Sequence, residues 1–171
     1  MHHFHSLKTT KVSKETNDCV HIAFAIPPEL RHEFSFKQGQ YINVRFLMGE
    51  EDLRRSYPIV NAPSEGNGDL EILVKHLDNG NVSTYLNQVL KLGDFVEVMA
   101  PSGHFYTHYH PSNEKNYIGL AAGSGISPVL SNLKEALYQE TKSNGYLIFS
   151  NKSFAEIIFK KEIDALVAQF E

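Results

Sequence analysis

Cysteine is almost missing from this chain: Cys19 is the only one in 171 residues. A single thiol excludes an intramolecular disulfide, a four-cysteine zinc site and a cysteine-held iron–sulfur cluster within the chain. Cys19 itself reads as a small, partly buried residue at the strand Val20–Ile26. Positive charge is in deficit as well, with 16 Lys and Arg against 20 Asp and Glu and a net charge of −4. That balance argues against nucleic acid as the main partner. No apolar run approaches a membrane span, and Met1-His-His-Phe-His5 has no signal-peptide apolar region. No membrane partner is therefore expected, and a cytoplasmic location is the default. Ser/His/Asp order, paired carboxylates and a Walker lysine are also lacking, so hydrolysis and phosphoryl transfer have no support and no catalytic residue is assigned. Among nine histidines, His2, His3 and His5 sit at a terminus. His104, His108 and His110 have ligand-like spacing on a loop but no positioned carboxylate, so solvated side chains and no metal are expected.

What is present divides in two. Up to residue 106 the pattern is β-rich, with strands expected at 6–14, 18–26, 40–47, 53–60, 69–76 and 94–99. Short helical inserts are expected near Pro28–His32 and Val82–Leu90, the second stopped by Leu92-Gly93-Asp94. Six short strands at fairly regular spacing suggest a small closed barrel. After the polar segment 109–116 the pattern becomes β–α–β–α. Strand Tyr117–Ala122 precedes a helix over 128–140, with Ser127 as N-cap and an apolar face of Val129, Leu130, Leu133, Ala136 and Leu137. Strand Tyr146–Ser150 follows. A last helix opens on the capping-box pattern Ser153-Phe-Ala-Glu156 and presents Ile158 or Phe159, Ile163, Leu166, Val167 and Phe170. The resulting domain reading is a barrel over 1–110, a linker over 111–116 and an α/β part over 117–171.

Three motifs carry chemistry. Gly123-Ser-Gly-Ile-Ser-Pro128 joins a strand to a helix, where absent side chains and the helix dipole suit a phosphate. Its plain alternative is an ordinary strand–helix connection. Leu53-Arg-Arg-Ser-Tyr-Pro-Ile59 places Arg55 and Tyr57 on one strand face. A guanidinium there can grip phosphate while the ring stacks on a planar heterocycle, unless the pair is merely a surface arginine beside a half-buried tyrosine. Val74-Lys75 followed by Gly80-Asn-Val-Ser-Thr84 offers a second glycine-led helix start with two hydroxyls, or an ordinary turn into a short helix.

In order, these pieces resemble the ferredoxin–NADP reductase superfamily, most of all the phenylacetate-degradation oxygenase reductases and their flavodoxin- and ferredoxin-reductase-like relatives. Phe36-Lys-Gln-Gly-Gln-Tyr41, Arg54-Arg-Ser-Tyr57, Gly80-Asn-Val-Ser83, Gly93-Asp94, Pro101-Ser-Gly-His-Phe105, Gly123–Pro128 and Ser150-Asn-Lys-Ser153 carry the resemblance. It implies a six-stranded antiparallel flavin-binding barrel followed by an α/β nucleotide-binding domain. In such proteins Arg55 would bind the flavin phosphate and Tyr57 would stack on the isoalloxazine, within the segment Arg55-Ser56-Tyr57-Pro58. Val74 and Lys75 would meet the ring and ribityl parts, while Gly80, Val82, Ser83 and Thr84 would hold the pyrophosphate, favouring FAD over FMN. Gly123, Ser124, Gly125 and Ser127 would approach NAD(P)H, and Lys152 is compatible with a 2′-phosphate. The implied activity passes electrons from NAD(P)H through FAD to an iron–sulfur protein or flavodoxin.

Three departures from that pattern stand out. Pro58 replaces a serine or threonine whose hydroxyl would bond flavin N5, and it has neither hydroxyl nor N–H. Asn61 replaces a small hydroxyl residue. Only residues 129–171 follow Pro128, without the family's strands beyond Tyr146–Ser150 or its Cys-Gly-Pro segment. A truncated nucleotide domain is therefore expected, with uncovered surface that promotes self-association. A flavin-binding module lacking a complete NAD(P)H site is the alternative.

Overall fold

The computed structural model describes residues 3–66 and 68–170. In chain order the elements are β1 (Phe4–Thr16), β2 (Cys19–Ala25), β3 (Tyr41–Met48), β4 (Glu51–Pro58), β5 (Asp69–Lys75), α1 (Asn81–Gln88), β6 (Phe95–Ser102), β7 (Asn116–Ala122), α2 (Ile126–Gln139), β8 (Asn144–Ser150) and α3 (Lys160–Phe170). Every strand read from sequence is present, with shifted ends. The insert near Pro28 is a single 3-10 turn over Pro28–Leu30.

Strands β1 to β6 form one antiparallel sheet in the order β4-β3-β6-β1-β2-β5. Its two end strands meet just beyond Pro58. Ile59 bridges Ile72, and the Val60 N–H donates to the Glu71 carbonyl at 2.9 Å. That contact closes the sheet into a barrel at one end of its two edge strands. Val20, Ile22, Phe24, Ile42, Val44, Ile72, Val74 and Val98 fill the interior, and Val82 and Leu86 of α1 pack onto the same core. Strand β2 reads as an almost unbroken apolar run because both its faces are covered. Helix α1 ends at Gln88 rather than Leu90, because the Leu90 N–H reaches the Tyr85 carbonyl, a wider turn than the α-helical one. Gly93 then takes φ +90 and donates its N–H to Thr9.

β7 and β8 pair in parallel from Asn116↔Asn144 to Ala122↔Ser150. Helix α2 lies tightly across them. A Cβ at Gly119 would stand 2.7 Å from Val129 Cγ1 and 2.9 Å from Leu133 Cδ1, so only glycine permits this approach. Two helix starts differ from expectation. Helix α2 begins at Ile126 with Gly125 as N-cap, after a 3-10 turn over Gly123–Gly125. Ser127 is inside the first turn, where its hydroxyl donates to the Ser124 carbonyl at 3.3 Å. The Ser153–Glu156 capping box is absent: that segment is a 3-10 turn without a side-chain cap. Phe159 takes φ +57, its carbonyl accepts the first bond of α3 from Ile163 N–H, and Ile158 and Phe159 are both buried.

Those two residues belong to a second core joining the barrel's outer wall to the α/β part. Cys19, Val60 and Leu73 meet Ile126, Leu130, Ile158 and Phe159 there. Around it, the Ser64 N–H and hydroxyl donate to the Glu135 carboxylate, and Ser131 Oγ donates to the Asn61 carbonyl. Buried Lys134 bridges Glu65, at 3.1 Å, and Glu162 of α3. Among the described residues no helix is long and apolar enough to cross a membrane.

Candidate functional site

The site begins where the barrel's closure stops. Ile59↔Ile72 and Val60–Glu71 share one antiparallel register. Continued backwards along β4 and forwards along β5, that register sets Tyr57 opposite Val74 and Arg55 opposite His76. No ladder forms there, and this unpaired stretch between the end strands, called the mouth below, has α1 packed beside it on β5. The strand geometry of β5 persists to this point: the His76 N–H extends the β2 ladder by donating to the Asp18 carbonyl at 2.6 Å.

On β4, Leu53 and Tyr57 both pack against the barrel core, and period-two alternation puts Arg55 on their face. Arg54 points the other way, bonds Asp52 and stacks over Phe4 at 5.3 Å. Arg55 is exposed, with one Nη1 donating to the Arg54 carbonyl at 2.7 Å. Burial pushes the Tyr57 phenol up to about 12, with the nearby Arg55 charge pulling it down. Tyr57 is thus a neutral ring beside a free-ended cation. Ser56 points outward, donating to Asn43 Oδ1 at 2.5 Å, and Pro58 pairs with Tyr41 without an N–H to offer.

Across the mouth, the Val74 side chain is in the core and its carbonyl accepts from Asn87 Nδ2, while Lys75 projects to the opposite face. Lys75 Nζ meets Asp18 Oδ2 at 3.0 Å; this hydrogen bond holds the ammonium above the usual lysine range. At α1 the first helical bond is Thr84 N–H to the Gly80 carbonyl, leaving the N–H groups of Asn81, Val82 and Ser83 without helical partners. A Cβ at Gly80 would fall 2.5 Å from Ser83 Oγ and 3.1 Å from the Leu77 carbonyl oxygen, so a larger residue there would displace the Ser83 hydroxyl. The Ser83 hydroxyl is committed to the loop, accepting from Leu77 N–H and donating to the Gly80 carbonyl, both at 3.1 Å. Thr84 Oγ1 stands 3.1 Å from His76 Nε2. Sequence reasoning passed over His76, although its place two residues beyond Val74 puts it on the mouth's face.

The glycine turn forms a second location, in contact with β5. Gly123 takes φ +49, and the space a Cβ would fill at Gly123 and Gly125 is open. Ser127 is buried and its hydroxyl used internally. Because β7 and β8 run parallel, exposed Lys152 follows β8 at the same end of the sheet as that turn. Asn61 has a structural place: its amide donates to Asp69 O and accepts from Glu71 N–H, tying the closure together.

The histidines do not gather. His5 pairs with Glu33, His108 stacks edge-on with Tyr106 and His110 bonds Ser112, whereas His2 is outside the described residues. Among the described residues no cluster of three metal-ligating side chains forms.

A barrel with an open cationic mouth, followed by a strand–glycine turn–helix unit, defines a two-part nucleotide-cofactor protein. Residues 6–107 match the oxidoreductase FAD-binding domain, and residues 120–171 match the oxidoreductase NAD-binding domain. The chain belongs to this FAD- and NAD-binding oxidoreductase family, that of the ferredoxin–NADP reductases. It is 36% identical over 162 residues to a component of the 1,2-phenylacetyl-CoA epoxidase of Escherichia coli, covering 94% of this chain and 44% of the relative. It is 31% identical over 167 residues to the ferredoxin reductase component of 3-ketosteroid-9-alpha-monooxygenase of Rhodococcus rhodochrous, covering 96% and 46%. The fold superimposes with a TM-score of 0.79 on a ferredoxin NADP+ reductase from Neisseria gonorrhoeae with bound FAD and NADP, at 26% identity, covering 99% of this chain and 66% of that one. The chain thus spans less than half the length of the two curated relatives.

Proposed function

We propose that this chain carries the flavin site of an NAD(P)H-linked electron-transfer reductase, in a barrel over 1–110 joined by 111–116 to an α/β part over 117–171. The open mouth between β4 and β5 is the observation that carries the reading. It offers one exposed guanidinium, one apolar ring and one helix start with unpartnered N–H groups, the set FAD requires. Arg55 neutralises flavin phosphate and Tyr57 covers one face of the ring system. Val74 and Val82 contribute backbone, since their side chains are in the core. Gly80 admits the close turn, and Asn81–Thr84 bind pyrophosphate, which favours FAD over FMN. When bound, FAD accepts hydride from NAD(P)H and releases single electrons. Position 58 donates no hydrogen bond to flavin N5.

Gly123, Ser124 and Gly125 receive the nicotinamide nucleotide through backbone N–H groups, and Lys152 suits a 2′-phosphate. Ser127 shapes that turn from inside rather than touching ligand. The electron acceptor is an iron–sulfur protein or a flavodoxin, in keeping with a relative named as a ferredoxin reductase component. A cytoplasmic setting accords with that role. The experiment is an FAD titration of the wild type, Arg55→Ala and Tyr57→Ala. Affinity should fall about tenfold or more in each variant; unchanged affinity in both removes the assignment.

A second reading is favoured by the α/β part. One face of its two-stranded sheet exposes Ile118, Leu120, Tyr146 and Ile148 at 54–68%, whereas parallel sheets are ordinarily covered on both faces. On that reading the chain is a flavin module that self-associates through this face. A yellow protein that NAD(P)H does not bleach selects it, and rapid bleaching rejects it.

A further inference from the structure

We infer that His76 is a positioning residue of the phosphate cradle and makes FAD affinity rise as pH falls; this rests on the flavin reading above. Extending the Ile59↔Ile72 register along both chains assigns His76 the position opposite Arg55, and the His76 backbone is held by the Asp18 carbonyl. Its Nε2 is 3.1 Å from Thr84 Oγ1, beside the three unpartnered N–H groups of α1. The neighbouring hydroxyl of Ser83 is consumed by the loop, which leaves Thr84 as the hydroxyl able to serve a ligand.

The hydrogen-bond chemistry makes this pair a switch. With Nε2 bare, the imidazole accepts, and the Thr84 proton points at the ring. An imidazolium can only donate, so Thr84 Oγ1 becomes the acceptor and its proton is released toward the cradle. Protonation therefore adds a cation and frees a donor at the same place. Few other charged groups surround His76. On its own strand Lys75 projects to the opposite face, bonded to Asp18, whose carboxylate is thereby occupied. Exposed Asp78 follows in the loop. From β4 comes Arg55, from β1 Lys14 reaches Asn87 of α1, and α1 itself carries no charged residue.

The test is calorimetric titration of the full chain with FAD and with riboflavin, which has no phosphate, at pH 5.5, 7.0 and 8.5. Wild type should bind FAD about five- to tenfold more tightly at pH 5.5 than at 8.5, and riboflavin with no such slope. His76→Gln should bind FAD at every pH as wild type does at 8.5, and His76→Arg should stay tight at every pH. Both variants keep the backbone bond to Asp18. A wild-type slope in His76→Gln, or an equal slope with riboflavin, overturns the inference while leaving the flavin site standing. Absence of flavin binding at any pH overturns the flavin reading and this inference together.

Discussion

The barrel and the α/β part solve the same problem to different degrees. In the barrel, six strands close through Ile59↔Ile72, β2 is covered on both faces, and the interior side chains form one continuous core. In the α/β part, α2 and α3 cover one face of β7 and β8, while Ile118 and Ile148 are 68% and 64% exposed on the other. A cavity of about 520 Å³ opens between α2, β8 and α3. Buried packing therefore concentrates in the first region, where the proposed flavin site also lies. The barrel can hold its mouth open because closure elsewhere fixes both strands, whereas the α/β part depends on the barrel wall for much of its core.

That contrast can be broken by mutation, most severely in the barrel. Ile72→Ala should cost about 2–5 kcal/mol in chemical denaturation, since the side chain is fully buried. Ile148→Ala should stay within about 0.5 kcal/mol. Equal effects would abolish the distinction. Next comes Lys134→Met, which strands the carboxylates of Glu65 and Glu162; a loss of about 3 kcal/mol is expected. Hydrogen exchange should speed up in α2 and α3 before it does in β1 to β6.

A smaller effect is confined to acid. Glu140 accepts hydrogen bonds from His110 N–H, Asn113, Tyr117 and Ser143, pinning residues 110–117 to the end of α2. Burial alone would raise its pKa, but those donors outweigh it and lower it to about 2. Because the folded value is depressed, this stabilisation is complete above the unfolded carboxylate pKa and is lost as pH falls through the folded one. Glu140→Gln should therefore flatten the stability profile between about pH 4.5 and 2, read by denaturation midpoints across that range. Least disruptive to the fold is Ile118→Ser with Ile148→Ser: the second reading requires it to reduce self-association in sedimentation velocity, and the denaturation midpoint should not fall.

Much of this was legible because the barrel's signals are local. Alternating strands, Gly93 after α1 and the Arg55–Tyr57 pair all follow from periodicity and turn chemistry. Legibility failed where tertiary contacts override local ones. Ser153-Phe-Ala-Glu156 has the capping-box pattern, yet burying Ile158 and Phe159 against the barrel delays the helix to Lys160. Ser127 looked like an N-cap because Pro128 follows it, but Gly123–Gly125 tighten into a 3-10 turn and start α2 earlier. His76 went unnoticed since its significance comes from a register between β4 and β5 that spans a loop. Ser83 showed the reverse: its hydroxyl looked available and is spent on closing its own turn.

The central claim is that the barrel mouth, not the α/β part, holds the flavin. Its most direct test is a titration of the chain with FAD, followed by flavin fluorescence, in wild type, Tyr57→Ala and Gly123→Val. One saturable site with strong quenching is expected in wild type and in Gly123→Val, and markedly weaker binding in Tyr57→Ala. Binding that survives Tyr57→Ala unchanged and disappears in Gly123→Val would contradict the account.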